Sequence, residues 1–173
     1  MDHPASRRLR FVAPALLALL ALLGVPSAAS AATLSSTYTI SGYEYYATAT
    51  QGRFAGSARG SSGDGATWNA IVDHTPLTTT ADVTGGSARL LTTNLVSVRG
   101  TFTGGSVQLV FQATGCGVQR YAVVGSLAGV TRSDSATVGT GTFSATLTHY
   151  RASILGSCIV YSASVSGSIA LSF

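Results

Sequence analysis

Lysine is absent from this chain of 173 residues, glutamate occurs once, and charged residues make up only 9% of the total. Without lysine there is no Schiff-base chemistry. Glu44, the single glutamate, has no second carboxylate near it in sequence, so a glycosidase pair gains no support. Sparse charge beside 46% hydrophobic residues excludes a disordered polyelectrolyte. Catalytic signatures are missing too: there is no G-x-S-x-G elbow, no H-E-x-x-H, no P-loop and no dinucleotide fingerprint. Beyond the leader, no segment repeats apolar residues at the helical period, which removes helical bundles and coiled coils.

What is present begins with that leader. Arg7, Arg8 and Arg10 precede an apolar run from Phe11 to Val25, and small residues with an A-x-A at Ala29, Ser30 and Ala31 follow. This is the layout of a secretory signal peptide cleaved after Ala31, and the apolar run is shorter than the ~20 residues a membrane helix needs. The expected organisation is a leader over 1–31 and a single all-β domain over 32–173, with no membrane span after cleavage. Half of the formal charge of +4 belongs to the leader. The remaining seven arginines are scattered among five acids, which argues against nucleic acid as a partner. Leader and composition together resemble those of small exported bacterial β-proteins.

Cys116 and Cys158 both lie in the exported part, where an even count predicts a disulfide. A zinc site would need four closely spaced ligands, and only His74 and His149 are at hand, so no metal is expected. One carboxylate in Ser62 to Gly65 is likewise too few for calcium. No cofactor motif is present.

Period-two alternation runs through the rest. Phe143, Ala145 and Leu147 share a face with His149 and Arg151, and Ile159, Tyr161, Ala163, Val165, Gly167, Ile169 and Leu171 share another. Turn signals cut the chain into about nine strands, within a range of eight to ten. Among those signals is Gly104 with Gly105, part of a T-G-G-S-x-x-L motif that occurs at Thr84 to Leu90 and again at Thr103 to Leu109. Gly42, Gly56, Gly100, Gly125 and Gly167 fall inside good strands, where glycine marks a bend or a close neighbour. The predicted fold is an antiparallel meander closing into a small β-barrel, with a two-sheet sandwich as the alternative.

A meander of nine strands brings the loop holding Cys116 and the turn before Cys158 to one end. It places Ser61 to Gly65 at that same end and the loop around Pro76 at the other. His149 and Arg151, pointing inward near the disulfide end with Asp64 as a partner, are then the catalytic candidates, His149 as acid or base and Arg151 for an anion. The competing reading makes His149 a satisfied core residue and leaves Arg151 in solvent. His74 is placed too far from His149 to share a proton. Tyr43, Tyr45, Tyr46 and Trp68 are candidates for ligand binding by stacking, against packing as cross-strand pairs.

These residues lead to an exported, disulfide-stapled module that binds a partner or serves structurally at the cell envelope or beyond it, more readily than to an enzyme. The partners considered are a polysaccharide, a small apolar ligand or another exported protein, the last including a target inhibited by the loop from Gly115 to Gln119. The alternative is a small barrel enzyme or ligand carrier with a pocket at the disulfide end lined by His149 and Arg151.

Overall fold

The computed structural model describes residues 34–173, so the leader over 1–31 lies outside the described residues. Eight strands follow one another: β1 (Ser35–Ala47), β2 (Gln51–Gly60), β3 (Gly65–His74), β4 (Thr80–Thr92), β5 (Ser97–Gln112), β6 (Gln119–Arg132), β7 (Ser135–Ile154) and β8 (Ser157–Ser172). Each pairs antiparallel with the next, and β8 closes onto β1 from Ser35↔Ser172 to Tyr43↔Ser164. The fold is a closed up-and-down barrel and not the sandwich. An even strand number lets the first and last strands close antiparallel.

Eight strands replace the expected nine because Gly104 and Gly105 make no turn. Both T-G-G-S stretches lie within strands, on β4 and β5, between the paired segments Asp82↔Ser106 and Ser87↔Thr101. Gly86 (φ 116°) and Gly105 (φ 142°) adopt backbone conformations that suit glycine, and a Cβ on either would collide with a neighbouring carbonyl. They form irregularities that bend two long strands. Losing one turn from the count reverses the ends: the Pro76 loop lies at the disulfide end, while the turn carrying Asp64 lies at the other.

Alternation places Ser and Thr on the outer face, including Thr39, Ser41, Ser57, Thr142, Ser144 and Thr146, and apolar side chains within. This is the reverse of a membrane barrel, whose apolar band faces outward. At eight strands, side chains can just fill the interior, and here they do. Trp68 (2% exposed) packs against Phe143, with ring centroids 6.1 Å apart, and Phe143 meets Phe102 edge-on at 5.9 Å. Trp68 stands level with Gly56 on β2, which stands level with Gly42 on β1. A Cβ on Gly42 would collide with the Ala55 carbonyl and one on Gly56 with the Ser41 carbonyl, so the two glycines let β1 and β2 approach closely here, and the indole Nε1–H donates to that Ser41 carbonyl at 3.1 Å. The in-strand glycines thus admit a neighbour, as expected. Trp68 itself is a core residue, out of reach of any ligand at the surface.

On β8 the predicted alternation holds from Ala163 to Leu171 and then breaks. His149 pairs with Ala163 and Tyr150 with Ser162, but Arg151 pairs with Val160, so Tyr161 is bulged out of register. Ile159 and Tyr161, expected on the inner face, are 45% and 67% exposed. The extra residue also turns Cys158, opposite Ser153, onto the face of His149 and Arg151. There it meets Cys116 of the β5–β6 loop in a disulfide with Cα atoms 5.2 Å apart.

Candidate functional site

The disulfide end of the barrel holds a pocket of about 240 Å³. Its floor is the top of the core, from Phe54, Val72, Val107, Val123 and Leu147, and its polar wall carries Glu44, His74 and His149. The loop with Pro76 and Leu77 forms the opposite side.

Glu44 reaches this wall because it continues the inward face of β1 after Tyr38, Ile40 and Gly42. Barrel closure sets β8 between β1 and β7, and Ala163, level with His149, comes one residue beyond the last β1–β8 pair, Tyr43↔Ser164. The short methyl of Ala163 lets the Glu44 and His149 side chains meet: His149 Nε2 is 2.7 Å from Glu44 Oε2. Both are shielded, with side chains 13% and 6% exposed, so the contact is a charge-assisted bond away from bulk water. Glycine at 52 makes the space, since a Cβ there would stand 2.8 Å from Glu44 Oε1 and 2.7 Å from Phe54 Cζ. The Tyr121 ring packs edge-on to the imidazole at 5.2 Å, and its hydroxyl donates to Gln119 Oε1 at 3.0 Å.

The structure brings together a different set from the one expected. His149 is inward at the disulfide end, as the alternation of β7 predicted. Its partner is Glu44, 105 residues away, and not Asp64. Asp64 accepts from Ser62 Oγ at 2.7 Å and lines a smaller, polar recess of about 150 Å³ at the opposite mouth, together with Arg132. His74, expected at the far end, lines the same pocket as His149. Arg151 shares the face of His149 but turns to the rim, where Nε donates to the Gly117 carbonyl at 3.0 Å and a terminal nitrogen lies 3.4 Å from that of Gly115. It holds the disulfide loop and does not line the pocket. The one signal for Glu44 was its spacing from Ile40 on the inward face, and nothing local revealed its partner.

Tyr43, Tyr45 and Tyr46 stand on the outer face, 48–55% exposed. They do not form cross-strand tyrosine pairs: Tyr43 and Tyr45 meet edge-on along one strand at 6.4 Å, and Arg53 covers Tyr46 at 5.0 Å. Above Tyr43↔Ser164 the strands β1 and β8 part, and Tyr45, Tyr46, Val160 and Tyr161 flank a shallow cleft there. No group of three or more potential metal ligands is clustered among the described residues.

Two buried phenols give the barrel ends distinct titrations. Burial is the main cause that raises Tyr121 above its ordinary value, with Arg151 opposing and Glu44 adding. Burial likewise raises Tyr38 at the other mouth, opposed by Arg132 and reinforced by Asp64 and Asp134. Their contribution to stability is complete below the ordinary phenol value of 10.0 and is lost as the pH rises through the higher folded-state values, because the unfolded chain loses these protons first. Ultraviolet titration is expected to show two late tyrosines, one absent in Tyr121→Phe and the other in Tyr38→Phe. A single transition at pH 10 for every tyrosine would contradict it.

The fold and site define a small, disulfide-stapled, up-and-down barrel with an apolar mouth and a buried carboxylate–imidazole pair. Comparisons with protein-family models, curated proteins and solved structures return no match.

Proposed function

We propose that the protein is an exported bacterial binding barrel, non-catalytic, that takes a small, largely apolar molecule into the pocket at its disulfide end. The observation that carries this reading is the pocket itself: a concave apolar floor with a few convergent polar groups is the usual form of a small-molecule site. At about 240 Å³ it is smaller than a site for drug-sized compounds, which suits a compact ligand. The filled core below leaves no room for a long one. Catalysis is disfavoured because Arg151 is committed to loop carbonyls and Asp64 is at the far mouth, so Glu44, His149 and His74 stand in the pocket without an arginine to hold an anion or a second carboxylate.

Export is part of the same reading. The leader over 1–31 directs the chain out of the cytoplasm and leaves 32–173 as the mature domain. The disulfide fits an oxidising compartment, and no helix among the described residues is long and apolar enough to cross a membrane.

A second reading places binding on the outer flank, where Tyr45, Tyr46 and Tyr161 offer rings that could stack on a polysaccharide. One experiment separates the two. The protein recovered from a secreting host, with its amino terminus sequenced, is titrated by NMR with a panel of small apolar compounds and, separately, with soluble oligosaccharides. Shifts at Val72, Leu77, Val123 and His149 with an apolar compound are expected, from a chain beginning at Ala32. Shifts confined to Tyr45 and Tyr161 with an oligosaccharide would replace the pocket reading with the second one.

A further inference from the structure

The side-chain polar atoms of the mouth pocket share one property: with the imidazoles neutral, they accept hydrogen bonds and do not donate them to a ligand. Glu44 Oε2 is taken by His149, but Oε1 has no hydrogen-bond partner among the described residues, although the side chain is only 6% exposed. A carboxylate oxygen accepts only. His149 uses Nε2 to donate to Glu44, which leaves its Nδ1 as an acceptor in the neutral ring. His74 Nδ1 is 2.7 Å from the Thr75 carbonyl, which can only accept, so this nitrogen carries the proton and Nε2 is an acceptor as well. Thr48 Oγ1, at the rim, already directs its proton to the Gln51 carbonyl.

No cation offsets this. Arginine does not line the pocket. Arg151 is bound to the loop carbonyls, Arg53 lies against Tyr46 and Gln51, and Arg120 covers Phe111. An anionic ligand would find neither a side-chain donor nor a positive charge, and a purely apolar one would leave a buried carboxylate oxygen unpaired.

We infer that the ligand of this pocket is a small primary ammonium with a compact apolar body, its N–H groups directed at Glu44 Oε1 and the free imidazole nitrogens and its body on the floor of Phe54, Val72, Val123 and Leu147. This inference rests on the pocket being the binding site, as proposed above. An ammonium brings three donors and one positive charge to a site that offers acceptors and one carboxylate.

Three probes of matched shape test it on the unaltered, oxidised protein by calorimetry: 2-phenylethylammonium, 2-phenylethanol and phenylacetate. The ammonium is expected to bind about tenfold or more tightly than the alcohol, the effect of one charge-assisted hydrogen bond, with phenylacetate the weakest. In Glu44→Gln the preference for the ammonium over the alcohol is expected to collapse towards unity. Equal affinity for all three, or a preference for phenylacetate, overturns the ammonium inference while leaving the pocket as a binding site. Failure of all three to bind overturns both. The ranking in the unaltered protein stands without any variant, so a poorly folded Glu44→Gln does not remove the test.

Discussion

Replacing Trp68 with alanine is expected to lower the free energy of unfolding by about 3–5 kcal/mol, the cost of deleting a large aromatic from a core that cannot close around the gap. The site cannot collapse because its walls are barrel strands held on both sides, and Gly42 and Gly56 beside the indole have no side chains to swing in. Phe143 also loses an aromatic neighbour, and the Ser41 carbonyl loses its indole donor. Trp68→Phe separates these terms. It keeps a ring in the space but removes the N–H, so about 1 kcal/mol of its loss is the hydrogen bond. Chemical denaturation followed by circular dichroism measures both. A loss under 1 kcal/mol for Trp68→Ala would mean that the indole does not fill the interior as described.

Opening the disulfide is expected to cost a similar amount, about 4 kcal/mol on the chain-entropy treatment of a bridge at a separation of 42 residues. The bridge joins the β5–β6 loop to the start of β8, and β6 and β7 lie within the closed segment, so the unfolded chain gains much freedom on its removal. In the folded protein the loop keeps two other ties: the Ala113 N–H to the Val118 carbonyl at 2.9 Å and the Arg151 bonds to Gly117 and Gly115. The doubly substituted protein, Cys116→Ser with Cys158→Ser, should therefore retain the barrel and unfold at lower denaturant. Adding reductant to the unaltered protein should move its transition to the same place, and an unmoved transition would show that the bridge adds nothing. Mass spectrometry of the non-reduced protein checks its presence directly.

Much of the barrel was legible because its cause is local. Alternation along Phe143, Ala145, Leu147 and His149 puts apolar groups on one side of a strand whatever the strand pairs with, and each of these residues faces inward. Two cysteines in a sequence read as exported predicted their bond. Glycines within strands pointed to close approach, which Gly42 and Gly56 make beside Trp68.

The errors were also local in origin, but their consequences were not. A G-G pair reads as a turn, and on β5 it is a bend, because β6 pairs with both glycines, Gly104↔Ser126 and Gly105↔Gly125, and carries the strand through while pairing to β4 lapses from Phe102 to Gly105. A meander alternates ends at every turn, so one false turn moved His74 away from His149 and brought Asp64 towards it. The bulge at Tyr161 worked in the same way on faces, moving Ile159 off the face of Ala163 and Val165 and setting Cys158 on the face of His149 and Arg151.

By itself the sequence determined the all-β class, the disulfide, the hydroxyl-rich outer surface and the inward direction of His149. Each follows from side-chain chemistry and a two-residue period that any strand obeys. Only the tertiary structure decided that His74 joins the pocket end and Asp64 leaves it, that Arg151 serves the loop, and that Glu44 completes the site. Closing β8 onto β1 is a long-range event, and it alone sets the single glutamate beside a histidine across the short side chain of Ala163.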